Sequence, residues 1–391
     1  MTKELRQFMK TCKPVRCTAL ILFAALAITV QTSAQSQMVA LDDAAKAKIT
    51  TFDAPGAGKG AGQGTFAYGI VKSGAIAGWV IDAGGVFHGF LRANGGNITN
   101  FDAPGAGKGR GYGTIAYSIN PSGAITGDDV DVIGVFHGFL RAKGGSIKTF
   151  DVPGAGKSYL QGTFAVSINP LGMIAGFYLD AKNVNHGFLR APDGTINSFD
   201  APGAGTGSGQ GTLVDYFSGI NPAGWITGSF LDASNVYHSY VRSPDGTFTT
   251  FDVPGAGTGK LQGTQSASIN PKGAITGEYI DASNVSHGFL RAPDGTITKF
   301  KVVGAGHGSG QGTVPQNLNP ASAIAGYYLD AGNVYRGFLR SESGGITKLN
   351  VPGAGTAQFQ GTVPASNDAT GAITGYYADA NGAWHGFLRT P

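Results

Sequence analysis

The chain is poor in cysteine, in charge and in uninterrupted apolar sequence, and each shortage removes a class of protein. Its only cysteines, Cys12 and Cys17, fall in the first 34 residues, so a chain trimmed there has no disulfide and no thiolate site. Neither lies at the expected cleavage point, as a lipoprotein anchor would require. Charged residues make up 13% of the sequence, and the formal net charge of +4 belongs to the leader. Lys3, Arg6, Lys10, Lys13, Arg16 and Glu4 account for five of the 28 Lys+Arg and one of the 24 Asp+Glu, which leaves 23 of each sign. A neutral remainder excludes the basic footprint of a nucleic-acid binder. Thr18 to Val30 is a 13-residue apolar run ahead of Thr32-Ser33-Ala34. That is a secretory signal peptide over 1–34, too short for the roughly 20 residues that span a bilayer. The expectation is a secreted or periplasmic protein with no later membrane span.

Helix is also scarce. After residue 50 few stretches pass about ten residues without Gly or Pro, and the longest, Ser229 to Ser243, is rich in strand formers. Only Leu41 to Lys48, within a lead-in of residues 35–48, has helical composition.

What is abundant is glycine, 65 residues, and it is strictly placed. A sentence of about 49 residues is written seven times. Its recurring aspartates are Asp82, Asp131, Asp180, Asp232, Asp281, Asp330 and Asp379, 49 residues apart except for 52 between Asp180 and Asp232. A fixed period near 50 marks one supersecondary piece that buries its apolar face only by stacking on neighbours. The third copy reads as four strands: Gly162 to Asn169, Met173 to Asp180, Asn185 to Ala191 and Thr195 to Phe199. Partial alternation marks half-buried antiparallel strands, and Asn169-Pro170-Leu171-Gly172 and Pro192-Asp193-Gly194 are tight turns.

Seven units of four short strands predict an all-β fold, a seven-bladed β-propeller over residues 49–391. A β-solenoid competes, but its coils are shorter and it needs end caps. The pattern begins at Ile49-Thr50-Thr51-Phe52, equivalent to Ile196 to Phe199, and ends at His385 to Arg389 without that strand. The first strand should therefore complete the last blade. The Asp-x-Pro-Gly-Ala-Gly linkers and the loops after the recurring Asp would then share one face.

Ser268 to Gly277 (SINPKGAITG), followed by His287-Gly288-Phe289-Leu290, resembles the bacterial extracellular HAF repeat, with Gly for the middle Ala. The resemblance covers the repeat region and implies an exported repeat protein, with no activity to carry over. Val71, His238-Ser239-Tyr240, Arg336 and Asn367-Asp368 depart from it locally.

The recurring His88, His137, His186, His238, His287 and His385 are expected to hydrogen-bond within their own blades to the recurring Asp. A catalytic group is needed once per site rather than once per blade. The recurring Arg92, Arg141, Arg190, Arg242, Arg291, Arg340 and Arg389 are expected in ion pairs or backbone hydrogen bonds. The Gly-Ala-Gly segments lack the following helix that a phosphate loop requires. No cofactor, metal or catalytic constellation stands out. A ligand breaks sevenfold symmetry whereas folding does not, so the candidate ligand-binding residues are those that depart: Asp128, Asp129, Tyr216, Trp225, Arg336 and Trp384. The expected function is a monomeric, non-enzymatic scaffold for an extracellular glycan or protein. The alternatives are a lyase or glycoside-active enzyme using residues around the axial channel, and a structural extracellular component.

Overall fold

The computed structural model describes residues 47–391 except Phe217. The signal peptide and the lead-in as far as residue 46 lie outside the described residues, and Lys48, read as the end of a helical segment, instead opens a strand. The described chain is all-β, with no helix. It forms one closed, propeller-like sheet of 21 strands with seven further outer strands.

The repeat writes one local structure. β1 (Lys48–Phe52) precedes a first unit of β2 (Gly64–Ile70), β3 (Ile76–Ile81), β4 (Phe87–Arg92) and β5 (Ile98–Phe101). The second unit is β6 (Gly113–Ile119), β7 (Ile125–Val130), β8 (Phe136–Arg141) and β9 (Ile147–Phe150). Within each unit consecutive strands pair antiparallel; in the second unit Ile119 faces Ile125, Asp129 faces His137 and Arg141 faces Ile147. At each junction the named strands of adjacent units share one parallel residue pair, Phe87 with Gly113 at the first. Gly113 has φ 124°, and a methyl group there would lie 2.0 Å from the Phe87 carbonyl oxygen, so only glycine fits.

β1 pairs with the third strand of the seventh unit, Trp384–Thr390, from Lys48 opposite Thr390 to Phe52 opposite Gly386. The strand that opens the repeat is thus the outer strand of the last unit.

The recurring residues supply the caps. In each linker the N–H two residues before the first glycine, which follows Pro in all but the sixth unit, donates to the threonine of the following Gly-Thr, as Ala103 does to Thr114 Oγ1 at 2.8 Å. Linkers and Asp turns share a face: Gly107 N–H donates to the Val130 carbonyl and Leu160 N–H to the Gly134 carbonyl, both at 2.8 Å. On the opposite face asparagines hand the chain from unit to unit. Asn120 Nδ2 donates to Asn169 O at 3.1 Å, Asn169 to Asn221 O and Asn221 to Asn270 O at 3.2 Å, and Asn319 to Asp368 O at 2.8 Å. Val71 occupies this position in the first unit.

Apolar packing divides into layers between units and one central cluster. A typical layer joins Val152, Ala165, Ile168, Ile174, Tyr178 and Phe188. The phenylalanine of each His-Gly-Phe strand is fully buried, as at Phe90, Phe139 and Phe188, and each such ring stabilises the fold by about 1.5–3 kcal/mol relative to exposure. The central cluster draws on every unit but the fifth, with Tyr68, Tyr117, Phe164, Val214, Val314 and Tyr376 among its members.

Candidate functional site

The recurring polar residues are committed to the fold. Each recurring aspartate closes its own turn: Asp131 Oδ1 accepts from the N–H groups of Ile133 and Val135, both at 2.9 Å. The histidines do not rely on that aspartate as their near partner. His88, His137, His186, His238 and His385 engage, through Nδ1, the aspartate that opens the next linker, at 2.7–2.9 Å. The turn aspartate stands farther off, 3.5 Å from Nε2 in the case of His137. The two remaining units show why. Lys301 and Asn350 replace the linker aspartate there, and His287 and Arg336 turn instead to Asp281 (2.8 Å) and Asp330 (3.0 Å).

The arginines stack rather than form ion pairs. Arg92, Arg141, Arg190, Arg242, Arg291 and Arg340 lie over Phe52, Phe101, Phe150, Phe199, Phe251 and Phe300, 4.9–5.0 Å from the ring centroids. Each ring ends the outer strand of the preceding unit, so the contact is a cation–π clamp between units.

The departures from the repeat fall elsewhere. First strands meet around the centre of the ring: Ser218 pairs in parallel with Ser268, and Asn317 Nδ2 reaches across two units to Ser218 Oγ at 3.0 Å. The residue after the glycine of each second strand is not fixed by the repeat, being Trp79, Asp128, Phe177, Ser229, Glu278, Tyr327 and Tyr376, with tyrosine alone used twice, and every one is buried. Phe66 stacks on Trp79 at 4.2 Å, and Tyr68 lies 5.8 Å from both Tyr117 and Tyr376. Asp128 is fully buried here; burial, then the charge of Asp129, pushes its carboxyl well above the usual range, with the nearby Tyr117 hydroxyl opposing. In the fifth unit Glu278 faces Gln265 across the strand pair, and both are buried.

Three of the six candidates join this centre. Tyr216, carried by the three-residue insertion of the fourth unit, meets Tyr117 edge-on at 5.0 Å and Phe177 at 5.9 Å. Its neighbour Asp215 accepts from Ser266 Oγ at 3.0 Å. Trp384 packs on Tyr376 (5.3 Å) and Phe66 (5.5 Å), and Asp128 lies beside Tyr117. Asp129 and Arg336 are not central; they sit with the histidine positions of their units. Trp225 lies in the turn after Asn221, on the opposite face, 40% exposed. Sequence reasoning missed Trp79, Tyr68, Tyr117, Tyr376 and Glu278. Reading down the column after each Ile-x-Gly, rather than along the chain, would have found Trp79, Glu278 and Tyr376.

At the linker face the centre ends in half-buried aromatics: Phe87, Tyr112, Tyr335, Phe359 and Trp384. Tyr335 lies 6.3 Å from Phe359 and 6.4 Å from Trp384. Leu160, Leu261 and Phe359 hold φ near 60–66° at linker positions where the other four units have glycine. A non-glycine residue in that region costs about 1–2 kcal/mol.

No family model and no curated relative matches the chain. Several solved structures do. The BP39L lectin from Burkholderia pseudomallei is 10% identical over 81% of this chain and 95% of its own, with a TM-score of 0.49. Puromycin hydrolase is 14% identical over 82% of this chain, with a TM-score of 0.48, and this chain spans 50% of its length. TolB from Acinetobacter baumannii is 13% identical over 92% of this chain and 84% of its own, with a TM-score of 0.41. No helix among the described residues is long and apolar enough to cross a membrane, and no group of His, Cys, Asp or Glu among them could hold a metal ion.

Proposed function

We propose that this is an exported, monomeric seven-bladed β-propeller of the HAF-repeat type, over residues 49–391, acting as a non-enzymatic scaffold that binds an extracellular glycan. The observation that supports the reading is the aromatic rim on the linker face, Phe87, Tyr112, Tyr335, Phe359 and Trp384. Aromatic rings take the C–H faces of sugars, and flat half-buried rings supply large contact area at low entropic cost. Backbone strain at Leu160, Leu261 and Phe359 favours the same face, because glycine in these positions would fold more cheaply. The recurring histidines, aspartates and arginines are left out of the reading, since their contacts already serve the fold.

The test is a glycan array probed with the wild-type protein, Tyr335→Ala and Phe359→Gly. Phe359→Gly removes strain along with the ring, so it should leave stability equal or higher while weakening the signal. Full retention of binding by both variants, or a blank array for the wild type, refutes the reading. The enzyme alternative draws on Asp128 and Glu278, two buried acids in the same column of the repeat. Turnover of any polysaccharide or lactone library would favour it over a pure binder.

A further inference from the structure

The second unit leaves open a slot that five of the others fill with an aromatic ring. In five units an aromatic ring covers the space beneath the linker glycine. A methyl group at Gly154, Gly203, Gly255, Gly304 or Gly353 would meet Tyr178, Phe230, Tyr279, Tyr328 or Tyr377 at 3.5–3.9 Å. Four of these rings also stack on the unit's histidine, as Tyr178 does on His186 at 4.9 Å. In the first unit Val80 replaces the ring and the space at Gly56 is likewise open, but Asn100 donates to the Pro55 carbonyl beside it at 2.7 Å. In the second unit the residue is Asp129, the equivalent of Asn100 is the short Thr149, and nothing lies within 4 Å of the space at Gly105.

The slot is also electrostatically incomplete. His137 Nδ1 lies 2.7 Å from Asp151 and its Nε2 3.5 Å from Asp131, and Asp129 pairs with it across the strands. One imidazole thus stands among three carboxyl groups. Asp129 is 1% exposed, and neither of its oxygens has a hydrogen-bond partner. A buried carboxylate is costly unless a donor or cation meets it.

The molecule shows what suits this slot. In the fifth and sixth units a lysine from the outer strand enters it: Lys299 Nζ and Lys348 Nζ each lie 5.8 Å from the centroids of Tyr279 and Tyr328. Lys299 also donates to the Pro254 carbonyl at 3.1 Å. Those two units are the ones whose linker aspartate is missing. The second unit keeps every carboxylate, adds another, and brings no lysine.

We propose that the slot formed by Asp129, Asp131, His137, Asp151 and the Gly105 linker binds one organic cation, an alkylammonium or guanidinium group. The proposal rests on the reading that departures from the repeat carry binding, but it needs neither the aromatic rim nor a glycan. Asp129 supplies the charged acceptor, and the linker carbonyls supply further acceptors as Pro254 does for Lys299.

The test is titration of the full chain with ethylguanidinium, butylammonium and an arginine-containing peptide, read by NMR of the His137 imidazole. Tetramethylammonium, which has charge but no N–H donor, serves as control. A saturable shift with the N–H cations and none with the control is expected. Asp129→Tyr, which restores the usual ring, should abolish it, and Asp129→Asn should weaken it about tenfold. Because cation binding ionises Asp129, the heat of binding at pH 7 should vary with the ionisation enthalpy of the buffer. Tighter binding of the peptide than of the free cations identifies a polypeptide source, and equal binding a small molecule. An unchanged response in Asp129→Tyr and Asp129→Asn overturns the proposal, as does a His137 response to calcium alone. A His137 response that survives in Phe359→Gly separates this slot from the aromatic rim.

Discussion

Closure of the ring by β1 makes a quantitative prediction at Phe52. Its ring is half-buried, meets Phe90 edge-on at 6.2 Å and carries the Arg92 guanidinium at 4.9 Å. Partial burial of a phenylalanine contributes about 1–1.5 kcal/mol, the aromatic pair about 0.5–1.5 kcal/mol, and the cation–π contact about 0.5–1 kcal/mol. Phe52→Ala should therefore destabilise by about 2–4 kcal/mol, somewhat below the value for a fully buried ring. Phe101 is the internal control: it meets Phe139 at 6.0 Å and Arg141 at 4.9 Å, but its strand is continuous in sequence with its own unit. If β1 is a full member of the seventh unit, urea unfolding of Phe52→Ala and Phe101→Ala should give losses within about 1 kcal/mol of each other. A loss below about 1 kcal/mol for Phe52→Ala beside a full loss for Phe101→Ala would refute the closure argument. So would an unchanged midpoint on deletion of residues 35–53.

Other outcomes follow from the same contacts. Phe188→Ala, at a fully buried ring, should cost about 3–5 kcal/mol in chemical denaturation, and a cost below about 1 kcal/mol would place that ring outside the core. The hydrogen bond to Asp151 raises His137 to about 9, so this contribution is complete below pH 6.5 and lost as pH rises toward 9. Burial raises Asp129 to about 7, so the folded state holds an extra proton between pH 4 and 7 and stability falls as pH rises through that window. The urea midpoint should thus decline from pH 4 to 9, and in Asp129→Asn the part below pH 7 should flatten; a wild-type-like slope would contradict it. Asn169→Ala removes the acceptor of the Leu171 and Met173 N–H groups and the link to Asn221. It should cost about 1–3 kcal/mol by thermal or urea unfolding, whereas Arg336→His, which restores the repeat, should change stability by less than about 1 kcal/mol.

Much of this architecture was legible in the sequence because glycine and aspartate mark turns by local chemistry that tertiary context seldom overrides. The four strands of the third copy, and the likeness of Ile49 to Phe52 to Ile196 to Phe199, needed only the period. The partners of the recurring side chains were less legible. His137 and Asp151 are 14 residues apart and meet only because the outer strand folds back along the third, and Arg92 finds Phe52 across a unit boundary. The centre was legible least. Tyr216 stands out in the sequence as a departure from the repeat, but its contact with Tyr117 in a unit two copies away depends on how first strands converge. Asp129 stands out in the sequence as a departure from the repeat, but what it uncovers beneath Gly105 requires the other copies as a template.

Lys48 and Thr390 face each other in the seventh unit. The order in which the strands are translated is consequently not a property of the folded object. Joining residue 390 to residue 48 by a short linker, and opening the chain instead at an exposed turn such as Pro192-Asp193-Gly194, would give a circular permutant with the same set of strand pairs. The seam would simply move to another unit.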